Sequence, residues 1–420
     1  MAIPRQRIRL PQGAWRSAML SLIRGDLWNG DLIEQFERTF SDYIGTKEAV
    51  SVPSGRAGFS FLLESMGIEK GSEVICSAFG YPVVPFIVKS MGFNLKFVDC
   101  EMETLGMDPK LLAKECSDTT SAVIATHLYG VPCQIQDIAD ICASRGSRLI
   151  EDCAHCYGAS VGEKKVGSFG DAGCFSFETS KVINTMGGGM VTVSDSEIDK
   201  QLRLLAAKEP GNGIKWLARR LLKTSFEAAV THPFLFNMGV YQMLRLASSS
   251  NASSSNEEND RYASGYQGDE VSLAGKMGRY TNYQARLGLR QLEGIEQRNQ
   301  RRTTNASHLI DKLGSKIQFQ KSISTEQGSY ANFMLVTVLT RKLSELTAAL
   351  LKKGVDSKHL YMRDCSRMFD GEKSFPNAAR AEREVMHLPA FPEMSQSQLD
   401  RVAKATVDAL AEVGLEAKIG

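Results

Sequence analysis

Lys181 ends the stretch GSFGDAGCFSFETSK (167–181), in which a glycine-rich turn leads into a short apolar run and then a hydroxyl-rich loop. A lysine amine held there can attack a carbonyl carbon and, when neutral, take up a proton. Upstream, RLIEDCAH (148–155) is an apolar run ending in Glu-Asp, so Asp152 falls at a strand end with His155 three residues on. SGRAG (54–58) follows a strand and opens a helix, and such small residues let backbone N–H groups around Gly55 and Arg56 face a phosphate. In NTMGGGMVTV (184–193) three glycines permit unusual backbone angles before another strand. Each feature alone also has a plain structural reading: a turn, a surface carboxylate, a solvated lysine. Their order along one chain is what suggests a site.

Such residues need a scaffold that gathers strand ends. From Glu48 to about Asp195, short β-branched runs alternate with helical stretches. The spacing predicts strands at 48–52, 73–76, 94–98 and 121–126, with helices at 57–66 and 82–91 between them. Strands alternating with helices predict an α/β fold with a mostly parallel sheet covered on both faces. Ligands in such sheets sit at the carboxyl ends of the strands, where the residues above fall.

After about residue 208 the composition changes. A helical pattern of high apolar content occupies 214–247, a Ser/Asn/Glu-rich tract 248–260, and a Gln/Arg-rich helical segment 281–313. A strand at 333–339 and helices at 342–353 and 396–413 read as a smaller C-terminal α+β domain. The expected organisation is an N-terminal segment (1–29), a large domain (30–207), an insertion (208–270) and the small domain (271–420).

The chain has 420 residues, 43% hydrophobic and 23% charged, and a net charge of +2. That describes an ordinary globular protein and argues against a nucleic-acid binder, which would show a strongly basic face. MAIPRQRIRLPQG lacks the apolar run of a signal peptide, and no run of 18 apolar residues predicts a membrane span. Nine scattered cysteines read as reduced thiols and point to the cytoplasm. CAHC (153–156) has the spacing of redox or zinc sites, but no second ligand pair accompanies it, so no metal is expected.

Together with THLYGVPC (126–133), these motifs resemble the DegT/DnrJ/EryC1/StrS family of aminotransferases, from about Gly30 to the C-terminus apart from 208–270. The resemblance implies the type I fold of pyridoxal-phosphate enzymes, a homodimer with shared active sites, and the cofactor held as a Schiff base on Lys181. It further implies that Asp152 pairs with the pyridine nitrogen, that His155 lies beside the cofactor, and that Tyr81 in SAFGYP (77–82) stacks on its ring. Ser176, with the amides around Gly55 and Arg56, would bind the phosphate. Arg279, in GKMGRYTNYQARLGLRQL (275–292), matches an arginine that reaches the neighbouring subunit's site for the cofactor phosphate or a substrate carboxylate. Tyr361 matches a substrate-side tyrosine. Met277 stands where the family usually has asparagine, and Arg56 where threonine is common.

The implied reaction moves an amino group from L-glutamate to a keto-sugar, by family default nucleotide-linked and of the 4-keto-6-deoxy type. An amphiphilic or lipid-linked keto acceptor is an alternative, and a non-catalytic regulator keeping the fold is another. The family's sugar dehydratases carry histidine in place of the lysine, so Lys181 speaks against that chemistry. In 214–247, Ile214, Leu217, Ala218, Leu221 and Leu222 follow one helical face, and Lys215, Arg219 and Lys223 form a strip beside it. Such a helix either packs on the core or on the dimer partner, with its basic strip solvated, or lies on an anionic membrane surface.

Overall fold

The computed structural model describes residues 1–249, 278–322, 328–357, 362–369 and 374–415. In chain order its first strands are β1 (Glu48–Val52), β2 (Glu73–Ser77), β3 (Phe79–Gly80), β4 (Asn94–Val98) and β5 (Thr120–Thr126). They are followed by β6 (Arg148–Asp152), β7 (Ser160–Val161), β8 (Lys164–Lys165), β9 (Ala172–Ser176) and β10 (Gly189–Val193). Seven of these form one sheet in the order β1-β10-β9-β6-β5-β2-β4. β10 runs antiparallel to both its neighbours, and the other pairs are parallel. The reversal follows from the link between β9 and β10, which holds no helix to carry the chain back for a parallel return.

Side chains alternate across this sheet as a pleated strand requires. Val74, Cys76, Ile124, Ile150 and Cys174 join the core beneath helices Gly55–Ser65 and Val83–Ser90, whereas Ile75, Val123 and Leu149 join the core on the opposite face with helix Ile135–Arg145. This is the α/β architecture expected from the alternating pattern.

The later strands are β11 (Gln318–Phe319), β12 (Ser329–Tyr330), β13 (Val336–Leu339), β14 (Arg363–Asp364) and β15 (Val385–Leu388). β11, β13 and β15 make an antiparallel sheet that packs with helices Ile295–Leu313, Leu343–Lys352 and Gln396–Glu412. The start of the chain belongs to this second core: Ile3 bridges to Val355 and is buried there. Helix Ala14–Arg24 packs instead against helix Asn282–Leu292.

The predicted helix at 281–313 is two helices, Asn282–Leu292 and Ile295–Leu313, broken at Glu293–Gly294. The first opens on a reciprocal cap between Thr281 and Gln284. The helical pattern at 214–247 is also interrupted. Helix Ile214–Val230 stops just before Pro233, which cannot donate the next backbone bond. The expected apolar face of that helix is divided: Leu217 and Leu221 are buried, while Ile214, Ala218 and Leu222 face solvent. Five residues spread over nine positions sweep more of a helix circumference than one protein contact covers. Most of the Ser/Asn/Glu-rich tract, from 250 onward, lies outside the described residues.

Candidate active site

The parallel strands bring their carboxyl ends to one edge of the sheet. Register makes the neighbours explicit: Thr126 lies opposite Asp152, Asp152 opposite Cys174, Ser176 opposite Gly189, and Gly189 opposite Val52. Asp152, Cys174 and Ser176 share one face, on which helix Gly55–Ser65 rests. A Cβ placed on Gly55 would stand 3.3 Å from that of Ser176, and the Cys174 thiol donates to the Gly55 carbonyl at 3.3 Å.

The triglycine segment makes this approach possible. Gly187 and Gly188 have φ of 123° and 93°, and a side chain on Gly188 would enter the ring of Tyr280. A Cβ on Gly189 would meet the Phe175 carbonyl oxygen at 2.5 Å and the Gly55 nitrogen at 2.9 Å. Ser54 caps the helix, its hydroxyl accepting from the Ala57 amide at 3.1 Å. The Arg56 amide and the Ser176 hydroxyl form no hydrogen bond among the described residues. With the positive end of the helix beside them, they offer an anion site of the kind that holds phosphate. The Arg56 side chain itself is exposed.

Asp152 is buried, and its Oδ1 accepts from the Ala154 amide at 3.1 Å. Burial raises its pKa, with the Ala154 hydrogen bond and the charge of Lys181 opposing. A buried carboxylate so lightly compensated needs a cationic partner. Lys181 keeps partial exposure, yet desolvation draws its amine down to about 8 from 10.5, against the pull of Asp152 and Glu178.

His155 is buried, and its Nδ1 accepts from the Tyr129 amide at 3.2 Å, which leaves the proton of the neutral ring on Nε2. Burial first, and then the charges of Lys181 and His387, push its pKa well down, so the ring stays neutral. Lys181, Asp152 and His155 are thus electrostatically coupled in one place.

The other expected residues fare differently. Tyr81 lies half-buried just past β3, beyond the carboxyl end of β2 and on the same edge of the sheet. Arg279 does not join this cluster within its own chain. It is exposed and lines a separate cleft of 670 Å³ with Gly30, Glu37 and Arg203. Tyr361 and Met277 lie outside the described residues.

Glu151, next to Asp152 but on the other face, carries no role in the sequence reading. It is fully buried; Oε1 accepts from Phe169 and Gly170 at 2.7 and 2.9 Å, and Oε2 from Gly167 at 2.8 Å and His127 Nε2 at 3.1 Å. It therefore fastens the 167–170 turn that leads into β9 and Ser176. Its ligand atoms lie within 4.8 Å of those of His127 and Cys153, but with four donors already on its oxygens the trio works as an anchor. Cys153 and Cys156 are buried and burial raises both thiols, which disfavours the thiolate that a metal or redox site needs.

Glu178 and Tyr129 are further residues that sequence reasoning passed over. Glu178 acts on Lys181 by charge and is paired with Arg220 at 3.4 Å. Tyr129 has a φ of 62° and lies between His155 and His387, with ring centroids 5.8 and 4.5 Å away. ETSK and THLYG stood in the quoted motifs, but nothing local distinguished these two members.

The DegT/DnrJ/EryC1/StrS aminotransferase family matches residues 16–218 and 241–407. The chain belongs to that family. The match begins earlier than Gly30 and resumes well before 271, so the segment foreign to the family is narrower than 208–270. A GDP-perosamine synthase of Vibrio cholerae is 38% identical over 176 residues, 42% of this chain and about half (48%) of that protein's length. A GDP-perosamine synthase of Escherichia coli O157:H7 is 26% identical over 375 residues, 88% of each chain. Among solved structures, the aminotransferase from Psychrobacter cryohalolentis superposes with a TM-score of 0.76 at 20% identity, over 97% of this chain and 99% of that one. That likeness supports the fold.

Proposed function

We propose that the protein is a pyridoxal-phosphate-dependent aminotransferase that moves an amino group, from L-glutamate, to a nucleotide-linked keto-sugar. The observation that carries this reading is the cluster of buried Asp152 and His155 with the partly exposed Lys181, beside an anion cradle with uncommitted donors. The cofactor's groups fit it: a phosphate for the Arg56 amide and Ser176 hydroxyl, a protonated ring nitrogen for Asp152, and an aldehyde for Lys181. The names of the Vibrio and Escherichia relatives support a nucleotide-sugar acceptor.

When bound, pyridoxal phosphate supplies an electron sink for breaking the Cα–H bond of the amino donor. Asp152 would hold the proton on the ring nitrogen and so keep that sink effective, its burial strengthening the attraction. Lys181 presents a partly neutral amine that would hold the cofactor at its aldehyde and could take up and return the donor's Cα proton. His155, neutral and fixed by the Tyr129 amide, would lie beside the ring and could donate through Nε2. Ser176 and the Arg56 amide would hold the phosphate, and Tyr81 would cover the ring.

Arg279 supports a homodimer, since it lies outside its own chain's cluster and is free to serve a neighbour's site. The large unit then runs over about 30–207 and the small unit over about 271–420. The decisive experiment is purification followed by addition of L-glutamate, with visible absorbance recorded and 2-oxoglutarate release measured against a panel of nucleotide keto-sugars. A protein with no such absorbance after loading with pyridoxal phosphate would overturn the assignment.

A further inference from the structure

Thirteen of the fifteen large apolar side chains that stand exposed among the described residues fall within 15–23 and 214–246. Helix Ala14–Arg24 turns small residues inward, burying Ala14, Ser17, Ala18 and Ser21. It shows Trp15, Met19, Leu22 and Ile23 to solvent, a stripe at i, i+4, i+7 and i+8.

Helix Ile214–Val230 lies beside it. Trp15 Nε1 donates to Ser225 Oγ at 3.1 Å, and Leu217 and Leu221 share a buried cluster with Ala14 and Ala18. The outward face of this second helix carries Lys215, Arg219, Leu222 and Phe226, with Leu222 61% and Phe226 67% exposed. Neighbouring helices that keep alanine and serine inside and tryptophan, leucine and phenylalanine outside present an apolar surface of the kind that meets a partner.

Charge selects the partner. The two helices hold Arg16, Arg24, Lys215, Arg219, Arg220 and Lys223 against one carboxylate, Glu227, a surplus well above the +2 of the whole chain. Arg220 is engaged by Glu178 and Lys223 by Glu227. Arg16, Arg24, Lys215 and Arg219 form no ion pair among the described residues. A second copy meeting through this face would oppose like charges, which disfavours self-association.

We propose that this face docks the protein on an anionic lipid bilayer, with the aromatic and aliphatic stripe entering the headgroup boundary and the cations meeting lipid phosphates. The face adjoins the reaction site. Arg220 is held by Glu178, whose charge acts on Lys181, and Met186, five residues past Lys181, lies in the cluster of Leu217 and Leu221. A docked protein holds its amino-transfer site beside the membrane, which suits an acceptor drawn from or destined for a lipid-borne glycan.

Flotation of the full chain with vesicles tests this without any activity measurement, so its outcome is independent of the proposed reaction. The protein rises with phosphatidylcholine vesicles containing about one-third phosphatidylglycerol, stays down with phosphatidylcholine alone, and is released by salt. Leu222→Glu with Phe226→Glu, at exposed positions that leave the core intact, lowers vesicle partitioning at least about tenfold, as does Lys215→Glu with Arg219→Glu. Unchanged far-ultraviolet circular dichroism shows that these variants remain folded. Absence of flotation at low salt overturns the proposal, as does flotation indifferent to both double variants. Conversion of a dimeric wild type to monomer by the same substitutions also overturns it, since the face would then be a subunit contact.

Discussion

Raising the pH from 7 to 9 titrates Lys181 while ordinary lysines stay charged. Its amine sits at about 8, pulled from 10.5 by burial, a difference of about 3 kcal/mol between the charged and neutral forms. At pH 7.5 roughly a quarter of such amines are neutral, against about one in a thousand for a solvated lysine. Incubating cofactor-free protein with pyridoxal phosphate, reducing with borohydride and mapping the peptides reads this out. The pyridoxyl label lands on Lys181, with an initial rate on the order of 100-fold above surface lysines and a pH midpoint near 8. Asp152→Asn moves the midpoint lower, because Asp152 holds the amine up. The sign for stability follows the same shift. The unfolded chain binds more protons on this lysine between pH 8 and 10.5, so its burial costs most below pH 8 and the cost fades as pH rises through that window. Lys181→Ala thus leaves the cofactor-free protein folded and stabilises it by at most about 3 kcal/mol at pH 7. Labelling at Lys164 or Lys165, or a midpoint near 10.5, would refute the reasoning.

Lys181→Ala abolishes transamination, measured as 2-oxoglutarate release, whereas Asp152→Asn keeps the covalent link to the cofactor and loses turnover. Glu151→Gln sets an amide among backbone donors and lowers unfolding stability by about 2–4 kcal/mol in urea, without a direct loss at the reacting atoms. Gly189→Ala drives the Phe175 carbonyl and the Gly55 amide apart and weakens cofactor retention about tenfold or more by equilibrium dialysis, with the sheet preserved. Diluting the protein to nanomolar concentration lowers specific activity in step with dimer dissociation followed by light scattering; full activity as a strict monomer would remove Arg279 from a shared site.

The pattern of 48–193 was legible because its causes are local. Period-two runs such as EAVSV and NLKFV became β1 and β4 at the expected bounds, and Gly167, Gly187 and Gly188 take the positive φ that turns before strands require. Asp152 and Ser176 close β6 and β9, and parallel pairing brings both to one edge, since strands with a common direction share that edge. The reversal of β10, by contrast, depended on what the chain between β9 and β10 could pack against.

Tertiary structure alone decided the rest. Glu151 and Asp152 are adjacent carboxylates of one strand, yet the pleat sends one to a turn and the other to the site. Helical periodicity in 214–230 announced an amphipathic helix but not which of its stripes would be covered. Ala14, Ala18, Met186 and Tyr283, distant in sequence, took Leu217 and Leu221 and left Leu222 and Phe226 outside. A sequence specifies what each side chain offers; which offers are taken up depends on the surfaces that folding places opposite them.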